Sequence, residues 1–247
     1  MSHHSLLTST LLSKHPNVKC GISTRTAGVS SGPYGMNLSF NVGDDREHVI
    51  ENRRRLFASI GTTPEQVALP RQQHTANSRC VSAGGSYEDC DALMTDVANV
   101  FLGVSVADCA PIFLYDTERR VVAAVHAGWR GTEQRILMRT IDALISEYGT
   151  DPKNLIAFVG PSASSCCYEV GKDVADKFAG EFKSHRSNKI YLDIKSANRQ
   201  QLIKSGLAEH NIEVSDDCTI CNPTLYHSYR RDREKSGRMM GLIGICS

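Results

Sequence analysis

Several signals are missing from this 247-residue chain, and each absence narrows the field. It has one tryptophan, only 6% aromatic residues, and no run of the ~18 uninterrupted apolar residues that a membrane-spanning helix requires. A membrane partner is therefore not expected. The opening segment MSHHSLLTSTLLSKHP has no basic stretch, its apolar residues are interrupted by Ser and Thr, and no small-residue cleavage site follows. A cytoplasmic setting is the expectation. Charge of one sign is also lacking: 28 Lys and Arg face 27 Asp and Glu, a net +1. No whole-chain field draws in nucleic acid, so an anionic substrate must be held locally. There is no linker, low-complexity stretch or internal repeat, which predicts one domain over 1–247 with a sizeable core. The nine cysteines, an odd number without an export signal, read as reduced thiols rather than a disulfide framework.

What is present alternates between strands and helices. VKCGIST (18–24) reads as a strand, and the loop after it, RTAGVSSGPYGMNLSFNVGDD, is long enough to suggest function. Asp44 and Asp45 supply N-cap chemistry for a helix through Ile60, with Val49, Ile50, Leu56, Phe57 and Ile60 on one side and Gly61 as terminator. Its Arg53, Arg54 and Arg55 read as a solvated face. Short strands are expected near 66–69 and 78–82, and then at DALMT. The apolar runs 100–107, 111–116 and 120–127 follow, long enough to be strands buried on both faces. A helix is predicted over 132–149, a strand over 155–160, helices near 171–183 and 196–209, a strand at KIYLDI and a last strand at RMMGLIGI. The order is not strictly βαβα, which favours an α+β fold with mixed sheets.

Three segments place a metal-capable side chain in a polar loop or at the end of an apolar run: His74 in PRQQHT, Cys109 in VADCAP and His126 in VHAGWRG. They stand much farther apart than zinc-finger pairs, so only tertiary folding can unite them. Two strand-borne ligands can be aimed rigidly into one cleft. Three N/S ligands with an open position make a catalytic zinc arrangement. A buried structural Cys with unrelated histidines, or a Cys–His nucleophilic pair, are the other readings. Cys218 and Cys221 form a C-x-x-C pair without a partner pair at zinc-ribbon spacing, and Cys166 and Cys167 are adjacent; structural zinc, a redox pair and buried thiols all remain open. Arg25, Arg130, Arg230 and Arg231 lie where a guanidinium can hold phosphate or carboxylate bidentately, or simply bridge at the surface.

Taken in order, STRTAGVSSGPYGMNLSFNVGDDREHVIENRRRL, QQHT, DALMT, VADCAPIFLYD, VAAVHAGWRGT, VGPSASSCCYEVG, YLDI, CTIC and SYRRDREKSGRMMGLIGI closely resemble the laccase-domain, or YfiH-like, family. The resemblance runs from about Ile22 to the C-terminal end. It implies a four-layer α/β/β/α sandwich and a zinc site at His74, Cys109 and His126. It also implies phosphorolysis of adenosine, inosine, guanosine and methylthioadenosine with inorganic phosphate as co-substrate, and deamination of adenosine. Catalytic roles are thus expected for Cys109, His126, His74 and Arg25, and contacts to the nucleoside for Arg130, Asn41, Gln72 and Asp108. Oligomeric state is left open. Two departures bear on the pocket: the family commonly has Gly where Thr75 stands and Ile where Ala163 stands.

The alternatives differ in chemistry. Zinc nucleobase deaminases carry His-x-Glu with Pro-Cys-x-x-Cys, and neither stands here, so deamination would use a convergent site in which Asp108 is a candidate proton shuttle. Family members have been described as polyphenol oxidases, but laccase electron transfer needs several His-x-His pairs, which are absent. Copper binding in vitro would follow the general affinity order. An amidohydrolase that edits peptidoglycan precursors, using zinc or Cys109, would draw on the same three residues. A metal-binding regulatory protein without turnover is the remaining class.

Overall fold

The computed structural model describes residues 6–247; the first five residues of the segment read as lacking a leader lie outside it. Two six-stranded sheets dominate. The first has the spatial order β1 (Leu6–Leu7), β2 (Val18–Ser23), β15 (Met239–Ile245), β7 (Phe101–Val106), β3 (Val67–Pro70) and β5 (Gly85–Tyr87). The second runs β14 (Ile212–Val214), β10 (Leu155–Val159), β8 (Ala110–Asp116), β9 (Val121–Ala127), β6 (Ala92–Thr95) and β4 (Ser78–Cys80). Both are mixed: β3 is parallel to β5 and β7, and β10 to β14, while β15 is antiparallel to both neighbours and β8 to β9.

Side-chain alternation along the buried strands builds the layers. On β9, Val121, Ala123, Val125 and Ala127 pack with Ile136, Leu137, Ile141 and Leu144 of a covering helix. Val122 and Ala124 point the other way and join Phe113, Phe158, Leu102, Val104 and Ile243 in the layer between the sheets. Across the first sheet, Leu56, Phe57 and Ile60 pack on Phe101, Met240 and Leu242. Helix, sheet, sheet, helix is the four-layer α/β/β/α sandwich of an α+β fold. A third, small sheet, β11 (Glu169–Val170), β13 (Lys189–Leu192) and β12 (Lys183–Arg186), carries a separate core of Ala163, Tyr168, Val170, Phe178 and Leu192, against which Trp129 packs.

Helix α1 (Arg46–Ile60) begins where Asp45 accepts from the N–H groups of Glu47 and His48 and stops at left-handed Gly61. Two details differ from expectation. Ile50 is 43% exposed, and Asn52 takes the inward position. The Asn52 amide donates to Ser30 Oγ and to the carbonyls of Gly35 and Asn37, and it accepts from Val29 N–H, so it ties the long loop to the helix. Of the arginine triple, Arg54 and Arg55 pair with Glu51, whereas Arg53 lies over Phe40 and donates to the Leu38 carbonyl.

The helix predicted over 132–149 is two helices, α2 (Trp129–Glu133) and α3 (Ile136–Tyr148), interrupted at Arg135 with φ 63°. Of the helix predicted near 171–183, one turn of α4 (Lys172–Ala175) and a 3-10 turn at Gly180–Phe182 form; Lys183 already opens β12. The helix predicted over 196–209 is α5 (Ile194–Lys204), with β14 beyond it.

Candidate metal centre and active site

Strand register assembles the site. In the β8–β9 pair Pro111 stands opposite His126, and in the β6–β9 pair Ala92 stands opposite Val125. His126 is thereby flanked by Asp91 on one side and by the chain leading back to Cys109 on the other. It shares strand parity with Val122 and Ala124, so its ring turns toward the space between the sheets. Cys109 closes the turn that crosses from β7 in the first sheet to β8 in the second. His74 comes from the loop after β3 of the first sheet. Ligand atoms of His74, Cys109 and His126 all lie within 4.8 Å of one another, and the two imidazoles meet edge to face at 5.0 Å. His74 is exposed, Cys109 half-buried and His126 buried, so the cluster opens to solvent on the His74 side.

Asp91 organises this cluster and was not singled out from the sequence. It is fully buried. Its carboxylate accepts from the N–H groups of Gln73, His74 and Thr75, from Thr75 Oγ1 at 2.8 Å, and from His126 Nδ1 at 2.8 Å. Successive N–H groups around left-handed His74 (φ 62°) form an anion-holding concavity. One carboxylate therefore fixes both histidines. Burial works against the charged form, but the bond to His126 and the N–H donors hold the carboxyl well below the usual range. With Nδ1 engaged, His126 keeps Nε2 for Cys109 or a metal. The only sequence trace of Asp91 is that it is the carboxylate of the Glu88-Asp89-Cys90-Asp91 run that directly precedes an apolar strand.

The cysteine and histidine polarise one another. Burial alone would raise the Cys109 thiol; His126 and His74 outweigh it and bring it to about 6. Burial would likewise lower His126, but Cys109 and Asp91 raise it to about 9. The pair therefore favours a thiolate beside an imidazolium, the form in which the sulfur is both a nucleophile and a ligand.

The other sequence candidates occupy diverse positions. Asp108 has φ 88°, and its two oxygens accept from Thr219 Oγ1, Ser228 Oγ and Arg230 N–H, which pins the turn immediately before Cys109. Gln72 clamps Ser105 of β7 through both ends of its amide, at 2.8 and 2.7 Å, and so anchors the His74 loop to the first sheet. Arg25 donates to the carbonyls of Pro223 and Pro33. Arg130 is exposed and stacks on Trp129 at 4.3 Å. Asn41 is exposed in the loop before α1, its N–H donating to Ser39 Oγ. Arg230 and Arg231 diverge: Arg231 is spent on the carbonyls of Thr219, Ile220 and Tyr226 and on Asp232, while the Arg230 guanidinium lies 5.3 Å over the Tyr168 ring. Burial, with Cys109 and Asp108 nearby, pushes the Tyr168 phenol up to about 12. Burial lowers the Arg238 guanidinium against the opposing charge of Asp108, and its Nη1 donates to the carbonyls of Ser236 and Gly237. Arg230, through its N–H on Asp108, and Tyr168 beneath its guanidinium are thus tied to the turn that carries Cys109. Two surface hollows, one beside Arg79 and Arg139 and one between Met138 and Phe182, include none of the three cluster residues.

Comparison with known proteins adds the following. The profile of the family described as "Multi-copper polyphenol oxidoreductase laccase" matches residues 19–246. A purine nucleoside phosphorylase of Deinococcus radiodurans is 39% identical over 241 residues, 95% of this chain and 92% of that one. An adenosine deaminase, RL5, from an unknown prokaryotic organism is 32% identical over 83% of this chain and 84% of its own. The crystal structure of YfiH from Bacillus licheniformis superposes with a TM-score of 0.93 at 32% identity, covering 99% of this chain and 97% of that one.

Proposed function

The chain belongs to the multi-copper polyphenol oxidoreductase laccase family, and from that premise we propose that it is a zinc-dependent purine nucleoside phosphorylase that also deaminates adenosine. Adenosine, inosine, guanosine and methylthioadenosine are the substrates, with inorganic phosphate as the second reactant. The relatives named as phosphorylase and deaminase support activity on purine nucleosides. The observation that carries the reading is the convergence of His74, Cys109 and His126, with Asp91 orienting one ring and cradled by the loop of the other.

Two imidazoles and a thiolate suit zinc and leave a coordination position for solvent or substrate. Bound there, zinc would supply Lewis acidity toward an oxygen or the purine. The protein's own residues do the rest. Asp91 keeps His126 in the tautomer that presents Nε2. Arg230, whose N–H binds Asp108 next to Cys109, is our first choice to hold phosphate, with Arg238, Arg25 and Arg130 as the other candidates. Tyr168, protonated throughout the neutral range, is a donor to the departing base. Although the family description names copper, the two metal-capable clusters among the described residues are this triad and a group of cysteines. That supply of imidazoles suits one metal rather than a multi-copper chain.

A second reading rests on the Cys109–His126 pair, which is also the arrangement of a cysteine nucleophile. It favours an amidohydrolase acting on peptidoglycan precursors. Purified protein incubated with adenosine and phosphate should yield ribose 1-phosphate, adenine and some inosine by chromatography. No product above a Cys109→Ala control would overturn the phosphorylase reading. Release of an amino acid from a nucleotide-linked muramoyl precursor would put the amidohydrolase in its place.

A further inference from the structure

A second group of metal-capable side chains stands apart from the triad. Cys166 and Cys167 lie in the turn leading into β11, and Cys218 and Cys221 flank the Cys-Thr-Ile-Cys turn of the loop after β14. The C-x-x-C pair that lacked a partner in sequence finds one in space. All four sulfurs lie within 4.8 Å of one another. Cys221 Sγ is 2.8 Å from Cys167 Sγ and 3.4 Å from Cys166 Sγ, and all four are free thiols.

The surroundings hold the four sulfurs together. Cys218 is buried and forms an isolated β-bridge with Ser162. Binding a metal would displace the thiol protons. Positive charge is close by. Arg186 donates to the carbonyls of Ser165 and Cys166, and the buried Lys195 ammonium holds the carbonyls of Ser215 and Asp217 next to Cys218. Two of the sulfurs belong to exposed residues, which gives an ion a way in.

We propose that Cys166, Cys167, Cys218 and Cys221 form a second, structural metal site that takes zinc as a tetrathiolate. Four cysteines from two turns, all donors and none left over, are the ligand set of a closed structural zinc centre. The ion would reinforce a junction that the Ser162–Cys218 bridge and the packing of Ile220 on the third sheet's core already make. One side of the junction is the small third sheet, whose core is a handful of side chains. The other is the loop in which Thr219, next to Cys218, holds Asp108 at 2.6 Å. Fixing Thr219 fixes the turn before Cys109, so this site would brace the first cluster without touching its substrate.

The test uses the full chain carrying His74→Ala and Cys109→Ala, which removes the first cluster's only thiol. Loaded with zinc and freed of excess, this variant should retain about one equivalent of metal by mass spectrometry of the elements. Loaded with cobalt(II), it should show the intense visible bands and thiolate charge-transfer absorption of a tetrahedral sulfur site. Adding Cys166→Ser and Cys221→Ser should abolish both signals. Should that four-fold variant fail to fold, the cobalt spectrum and the protection of the four thiols from alkylation by zinc in the double variant decide the matter. No retained metal with freely reacting thiols, or a disulfide among the four that zinc loading under reducing conditions does not replace, would overturn the proposal.

Discussion

At the scale of single residues, Asp91 and Gly128 control the cluster without being ligands. Asp91 is the shared support of both histidines, so Asp91→Asn exchanges an acceptor for a donor at N–H groups that cannot turn away. Loss of such an outer partner costs about 10- to 100-fold in metal affinity, and zinc competition against a chromogenic chelator should show a weakening of that order. Gly128 is needed for space: its φ of −75° suits any residue. A Cβ there would stand 2.8 Å from Cys109 Sγ and 3.3 Å from the His74 ring. Gly128→Ala, and more so Gly128→Val, should therefore displace ligands and lower nucleoside turnover by about 100-fold. The urea midpoint should change little, because the strand and helix on either side keep their own packing. His74, Cys109 and His126 were legible as candidates because each stands in a polar loop or where an apolar run ends. Asp91 was not, because its importance arises from a register, Ala92 opposite Val125, that no local pattern announces.

At the scale of elements, the strength of a periodic signal decided what could be read. The strands β7, β8 and β9 are buried almost throughout, and their apolar runs gave them away. By contrast β12 is mostly exposed, and β11, β5 and β14 are two or three residues long, so no alternation exists to distinguish them from helix or loop. The break between α2 and α3 was hidden for a different reason. Arginine is a good helix former, and nothing about Arg135 in sequence discloses its left-handed backbone at φ 63°. That conformation disfavours a side chain with a Cβ by about 1 kcal/mol. Arg135→Gly should accordingly raise stability by a sizeable fraction of that amount, and Arg135→Val should lower it, as read from urea unfolding.

At the scale of the whole molecule, acid should undo the fold partly through one histidine. His227 is fully buried, and among the described residues only the Tyr34 backbone approaches its ring nitrogens, without forming a well-aligned hydrogen bond. Burial first, and then Arg25 and Arg238 against the opposing pull of Asp232, lower it to about 3. In the unfolded chain it titrates near ~6.5. Between those values the unfolded state binds the extra proton, so stability falls as pH drops, by up to about 1.4 kcal/mol per pH unit from this group. Urea unfolding from pH 6 to pH 4 should show a steeper decline for the natural chain than for His227→Asn. Equal slopes would show that His227 is not the group responsible. The four-layer plan was foreseeable from the resemblance, but the position of its last strand was not. Strand β15 lies in the middle of the first sheet, between β2 and β7. A nascent chain stalled before residue 239 would hold two inner strand edges without partners, each a template for mispairing. Synthesis of this protein thus delivers the keystone of its first sheet last, and that sheet can close only once β15 has emerged from the ribosome.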